Sequence, residues 1–153
     1  MVVSYGRRLL FVFGSLIPLF CFMACQKNNN TNNSNTTTTN AAYVDIYIYV
    51  NTPEFFPLTT IGGWIYKTGG TKGIIIYRKS QSEFAALERS CPYDGVNKTN
   101  ALVKVQSDNI SAKDSICGSK FYITDGSVTT GPATYPLGAY HTTFDGNALH
   151  IFN

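Results

Sequence analysis

The sequence is short of charge and of histidine. Only 14% of its 153 residues are Asp, Glu, Lys or Arg, and it holds two histidines, one tryptophan and four cysteines. Its lysines are scattered one at a time with no basic run, which excludes the contiguous positive surface that nucleic acid requires of a partner. The two histidines, His141 and His150, lie in the last apolar segments at no ligand spacing and read as surface or strand-pairing residues. A nucleophilic cysteine therefore has no evident base, and no other catalytic constellation is present, so the chain reads as not an enzyme. A phosphate loop is excluded too. The "TGGTKG" stretch at 68–73 lacks the Gly-x-x-x-x-Gly-Lys-Ser/Thr spacing and is followed by no helical pattern, leaving a hairpin turn. No long amphipathic helix and no apolar run of the roughly 20 residues that span a bilayer can be found.

What is present begins with a targeting pattern. Arg7 and Arg8 precede "LLFVFGSLIPLFCFMA", an uncharged apolar run ending just before Cys25. This is the layout of an export signal over residues 1–24. The residues "FMAC" resemble a bacterial lipobox, with Ala24 as the small residue and Cys25 as the site of lipidation, although Phe22 replaces the usual Leu. Cys21 follows bulky Phe20 and reads as an ordinary apolar residue of the signal. Gln26, rather than Asp, follows Cys25, which by resemblance to sorting rules in other bacteria favours the outer over the inner membrane.

Residues 26–40, "QKNNNTNNSNTTTTN", are nearly all Asn and Thr and bury too little apolar surface to offset chain entropy. They form a tether from Cys25, about 20 Å in root-mean-square span for a flexible coil of this length. Once Arg7 and Arg8 are removed, ten basic residues face nine acidic ones, so the mature chain is close to neutral.

The domain at 41–153 is patterned with period two. In "YVDIYIYV", Val44, Ile46, Ile48 and Val50 alternate with Tyr43, Asp45, Tyr47 and Tyr49, as in a strand with one buried face. The loop "NTPEFFPLTT" follows, then strands in "GGWIYKTGG" and "GIIIYRK". "EFAALERS" fits helix or strand by pattern, and its length and place after a Ser-Gln-Ser turn favour a strand. "ALVKVQ", "SKFYIT", "SVTT", "AYHTTF" and "NALHIF" complete an all-β set. Asp125-Gly126 and Asp145-Gly146 mark tight hairpins, because primed turns need positive φ. Aromatics interleaved in the strands read as core more often than as a glycan or ligand surface, and Trp64 reads as a core anchor rather than a sugar platform.

Two cysteines remain, Cys91 in "ERSCPYDG" and Cys117 in "DSICGSKF". A Cys-Pro loop, a second loop closing in "GSKF", the "DGSV" hairpin and then "GPATYPL" resemble the Rieske iron-sulfur domain family over residues 73–153. The resemblance implies an antiparallel β sandwich with two ligand-type loops at one end. In that family one loop carries Cys-x-His and the other Cys-x-x-His, which together hold a 2Fe-2S cluster. Laid on this pattern through "GSKF", the ligand positions fall on Cys91, Tyr93, Asp114 and Cys117, and three of the four are changed in type.

The resemblance therefore implies that the cluster is lost. Tyr and Asp oxygens are harder donors than the core accepts. It further implies that the two loop tips bring Cys91 and Cys117 to disulfide distance. A bridge over that separation is worth on the order of 3 to 4 kcal/mol on a chain-entropy account. Zinc wants about four ligands, and two cysteines plus Asp114 leave the sphere short. No resident metal or cofactor is expected on this count.

Signal, tether and domain together resemble the Rieske-like lipoproteins of Bacteroidetes. They point to a lipid-anchored cell-envelope protein acting as a binding or structural module, with an unnamed envelope protein or a glycan as its partner. The competing expectation is an electron-transfer protein whose 2Fe-2S cluster keeps Cys91 and Cys117 and recruits Tyr93 and Asp114. Asp114-Ser115-Ile116 also resembles a three-residue O-glycosylation signal at Ser115, but so short a match reads first as a plain turn.

Overall fold

The computed structural model describes residues 42–153. The signal, Cys25 and the tether lie outside the described residues. Among the described residues there are ten strands: β1 (Asp45–Tyr49), β2 (Trp64–Lys67), β3 (Ile74–Arg78), β4 (Phe84–Glu88), β5 (Val103–Val105), β6 (Ser111–Asp114), β7 (Lys120–Tyr122), β8 (Val128–Thr130), β9 (His141–Phe144) and β10 (Ala148–Phe152). They form three antiparallel sheets ordered β1-β10-β9, β2-β3-β4 and β5-β6-β7-β8.

The middle sheet explains the uninterrupted apolar run of β3. Ile74 and Ile76 face one core with Ile48, Leu58, Phe84, Leu149 and Ile151, whereas Ile75 faces a second core with Leu87, Cys91, Val103, Phe121 and Ile123. A strand buried on both faces loses the alternation that marks a half-buried one. β1 is the opposite case. Ile48 is buried while Tyr47 and Tyr49 are exposed, as its period-two pattern requires.

β4 pairs antiparallel with β3 from Phe84 to Glu88, so the ambiguous "EFAALERS" segment is a strand, and it is buried along its whole length. Its outer edge is covered by the segment leading into β9, through Glu88 N–H to Gly138 O at 2.7 Å and Tyr140 N–H to Ala86 O at 2.9 Å. The segment after β1 forms a 3-10 helix, Pro53–Thr59. Proline suits its first turn, the backbone kinks at Phe55 (φ −110°, ψ 18°), and Phe55 and Leu58 are both buried. No helix among the described residues is long and apolar enough to cross a membrane.

Glu88 ties three segments together at the edge of the middle sheet. Its buried carboxylate accepts hydrogen bonds from Thr71 N (2.6 Å), Lys72 N (3.0 Å), Ser90 N (2.8 Å) and the Tyr140 hydroxyl (2.7 Å). The charge is thus solvated by protein dipoles in place of water. Burial and this carboxylate push the Tyr140 phenol above its ordinary value. The "TGGTKG" turn, which joins β2 to β3, is one of the three segments so fixed.

Candidate metal centre

Two loops meet above the second core. The first leaves β4 at Ser90 and folds over Cys91–Asp94, where Gly95 N–H donates to Cys91 O at 2.8 Å. Gly95 is required there: a β-carbon would overlap the Cys91 backbone and the Ser90 hydroxyl. The second is the β6–β7 hairpin tip. Gly118 N–H donates to Asp114 O at 3.0 Å, Asp114 N–H donates to Ser119 O at 2.9 Å, and Gly118 takes φ +82°. The Asp114 side chain folds back on this tip, its Oδ1 accepting from Ile116 N at 2.6 Å and Cys117 N at 3.3 Å.

The tips bring Cys91, Asp94, Asp114 and Cys117 together, with one donor atom from each lying within 4.8 Å of all the others. Cys91, Asp94 and Asp114 are buried and Cys117 is half-buried. The sulfurs are 3.6 Å apart and unbonded. The Cys117 thiol donates to Ser119 Oγ at 3.1 Å, and Ser119 Oγ in turn accepts from Ala133 N at 2.9 Å. Through that bond the "GPATYPL" segment is held against the tips. Burial pushes the Cys91 thiol up to about 12, so in the metal-free protein it is the neutral thiol.

Each carboxylate has one engaged oxygen. Asp94 Oδ2 lies 3.4 Å from Lys98 Nζ, and Asp114 Oδ1 holds the hairpin tip. The other two oxygens, Asp94 Oδ1 and Asp114 Oδ2, are buried with no hydrogen-bond partner. An unsatisfied buried acceptor costs roughly 1 to 3 kcal/mol.

No family model matches the chain and no curated protein matches it. Solved structures do. The cyanobacterial plasma membrane Rieske protein PetC3 from Synechocystis PCC 6803 superposes with a TM-score of 0.53 at 20% identity, over 69% of this chain and 99% of that one. The ferredoxin of carbazole 1,9a-dioxygenase from Nocardioides aromaticivorans IC177 gives 0.42 at 14% identity, over 61% and 86%. The first match decides the architecture. The domain has a Rieske-like fold.

Within the Rieske-like domain the four positions suggested by sequence divide. Cys91, Asp114 and Cys117 come together. Tyr93 does not join them: it is 57% exposed, and Asp94, one residue on, takes the fourth place. The count that left a zinc sphere one ligand short is corrected by that substitution. The signal for it was a mirrored spacing, Cys91-x-x-Asp94 in one loop and Asp114-x-x-Cys117 in the other. An i, i+3 pair across a tight turn is how many metal loops present two ligands.

The four donors fit a 2Fe-2S cluster poorly. Such a cluster takes thiolate and imidazole ligands, and the two ligand pairs must stand apart by two irons and their bridging sulfides. Carboxylate oxygens are hard donors for that core. Four donors all within 4.8 Å of one another leave room for one ion among them.

Proposed function

We propose that the chain is a lipid-anchored cell-envelope protein, of the Bacteroidetes lipoprotein type, whose Rieske-like domain has lost its 2Fe-2S cluster. It serves as a binding or structural module and not as an enzyme or electron carrier. The observation that carries this reading is the donor set: two thiols and two buried carboxylates stand where a cluster needs thiolates and imidazoles. The lipid on Cys25 tethers the domain to the membrane, with the outer membrane favoured by Gln26.

The two loops stay joined through Cys91 and Cys117. In the metal-free exported form the pair closes as a disulfide, the sulfurs moving from 3.6 Å to about 2 Å. Two S–H bonds are lost and one S–S bond forms, with two electrons and two protons passing to a disulfide oxidant of the exported compartment. The test is anaerobic reconstitution of the reduced full-length protein with iron and sulfide, followed by desalting. This reading expects a colourless protein without labile sulfide. A stable visible chromophore with a reduced-state paramagnetic signal would restore electron transfer.

A second reading, glycan binding, draws on one surface. On one face of the β1-β10-β9 sheet the rings of Tyr47, His150 and Phe152 stack in a row, with centroid separations of 4.1 and 4.6 Å, and His141 lies tilted against Phe152 at 5.5 Å. Tyr47 is 61% exposed. Flat aromatic rows suit the apolar faces of sugars, and loss of glycan-array binding in Tyr47→Ala would support this role. An array blank for the parent protein would remove it.

A further inference from the structure

We propose that Cys91, Asp94, Asp114 and Cys117 bind one zinc ion in a closed four-coordinate site, a mononuclear centre built where the fold would otherwise hold a cluster. The proposal rests on the loss of that cluster and adds what replaces it.

Four observations converge on a cation. The first is spacing. Two thiolates sharing a tetrahedral ion at Zn–S of about 2.3 Å lie about 3.8 Å apart, and the Cys91 and Cys117 sulfurs are 3.6 Å apart. The second is the pair of buried oxygens without partners, Asp94 Oδ1 and Asp114 Oδ2, one on each loop. A disulfide alone leaves both unexplained, because it removes the thiols and satisfies neither carboxylate. The third is enclosure: three of the four residues are buried, which suits a structural site with no open position.

The fourth is the surrounding shell. Ile116 N and Cys117 N hold the engaged oxygen of Asp114, Lys98 Nζ stands against that of Asp94, and Ser119 Oγ contacts the Cys117 sulfur. Two thiolates and two carboxylates would leave a zinc site with two excess negative charges. Lys98 and the backbone N–H groups offset part of that excess. Thiolate selects zinc over calcium or magnesium, which take oxygen ligands only. Binding releases the thiol protons to solvent and forms two Zn–S and two Zn–O bonds, with no change of oxidation state. Metal and disulfide exclude each other, since both use the same two sulfurs.

The test is a zinc titration of the full-length protein, reduced and stripped of metal, against a chromophoric chelator, with Asp94→Asn and Asp114→Asn alongside. One zinc per chain is expected. Each variant should weaken binding by more than the roughly 10 to 100-fold that loss of an outer-shell partner costs. X-ray absorption on the zinc-loaded parent keeps the test independent of variant folding, and should show two sulfur scatterers at about 2.3 Å and two oxygens at about 2.0 to 2.2 Å. A reduced parent with two titratable thiols and no zinc overturns the site while leaving cluster loss standing. Binding untouched by both variants, or a coordination sphere without oxygen, also overturns it. Loading with two irons and two sulfides overturns both readings.

Discussion

Asp94 and Asp114 use one oxygen each on the protein and hold the other out of water unpaired, whereas Glu88, just as buried, has four partners. The contrast predicts opposite responses to neutralisation. In the metal-free reduced protein, Asp114→Asn should leave the melting temperature unchanged or raise it, because the amide keeps the Oδ1 acceptor and removes a buried carboxylate oxygen that has no partner. A drop of several degrees would show that the carboxylate is needed without metal. Glu88→Ala should lose about 3 to 5 kcal/mol in denaturant unfolding, because it orphans buried N–H groups and the Tyr140 hydroxyl. A loss under 1 kcal/mol would contradict the network. Asp94 was hard to see in sequence because family spacing points at Tyr93. Only the fold reveals that a turn closed by Gly95 turns the next side chain inward.

At the scale of the element, legibility followed burial geometry. β1 was readable because one face is wet. β3 was readable because three isoleucines in a row admit little else. β6, Ser111–Asp114, was missed: its alternation is real, with Ala112 and Asp114 buried, but a buried aspartate does not count as apolar in a pattern search. The segment "NTPEFFPLTT" hid its 3-10 helix because a seven-residue element with an internal proline has no helical period to detect. Ile75→Ala, at the centre of the middle sheet, should cost about 2 to 5 kcal/mol through the cavity it leaves in the second core.

Both Asp-Gly pairs lie in hairpin connections, but not as primed two-residue turns. Gly126 and Gly146 take positive φ while Asp125 and Asp145 do not, in loops of five and three residues between the strands, and the two acids carry a pH dependence. Hydrogen bonds from the Ser127 backbone and hydroxyl hold Asp125 below the ordinary carboxylate range, and those from the Ala148 and Asn147 backbones do the same for Asp145. A carboxylate depressed on folding contributes stability that is complete above its unfolded value, about 3.9. That contribution is lost as pH falls through the lower folded value. Asp145→Asn should therefore flatten the acid limb of a stability-against-pH curve below about pH 4. An unchanged acid limb would contradict the assignment.

For the whole molecule, the sequence told more about architecture than about chemistry. The all-β class was legible because it depends on turn residues and period-two patterning, whereas the meeting of Cys91 with Cys117 followed only from the resemblance of the blocks "GSKF", "DGSV" and "GPATYPL" to the Rieske family. The fourth member of the site depends on a side-chain direction, which the linear pattern does not encode. The proposed lipidation of Cys25 makes a prediction of its own: on export, the parent should partition with detergent and Cys25→Ala should stay in the aqueous phase. Aqueous partitioning of both would contradict lipidation. The most direct test of the central claim, that this Rieske-like domain carries no cluster, is the native mass of the exported protein. The account predicts a chain without iron or sulfide, carrying one zinc or standing two hydrogens short. Two irons and two sulfides on the folded chain would contradict it.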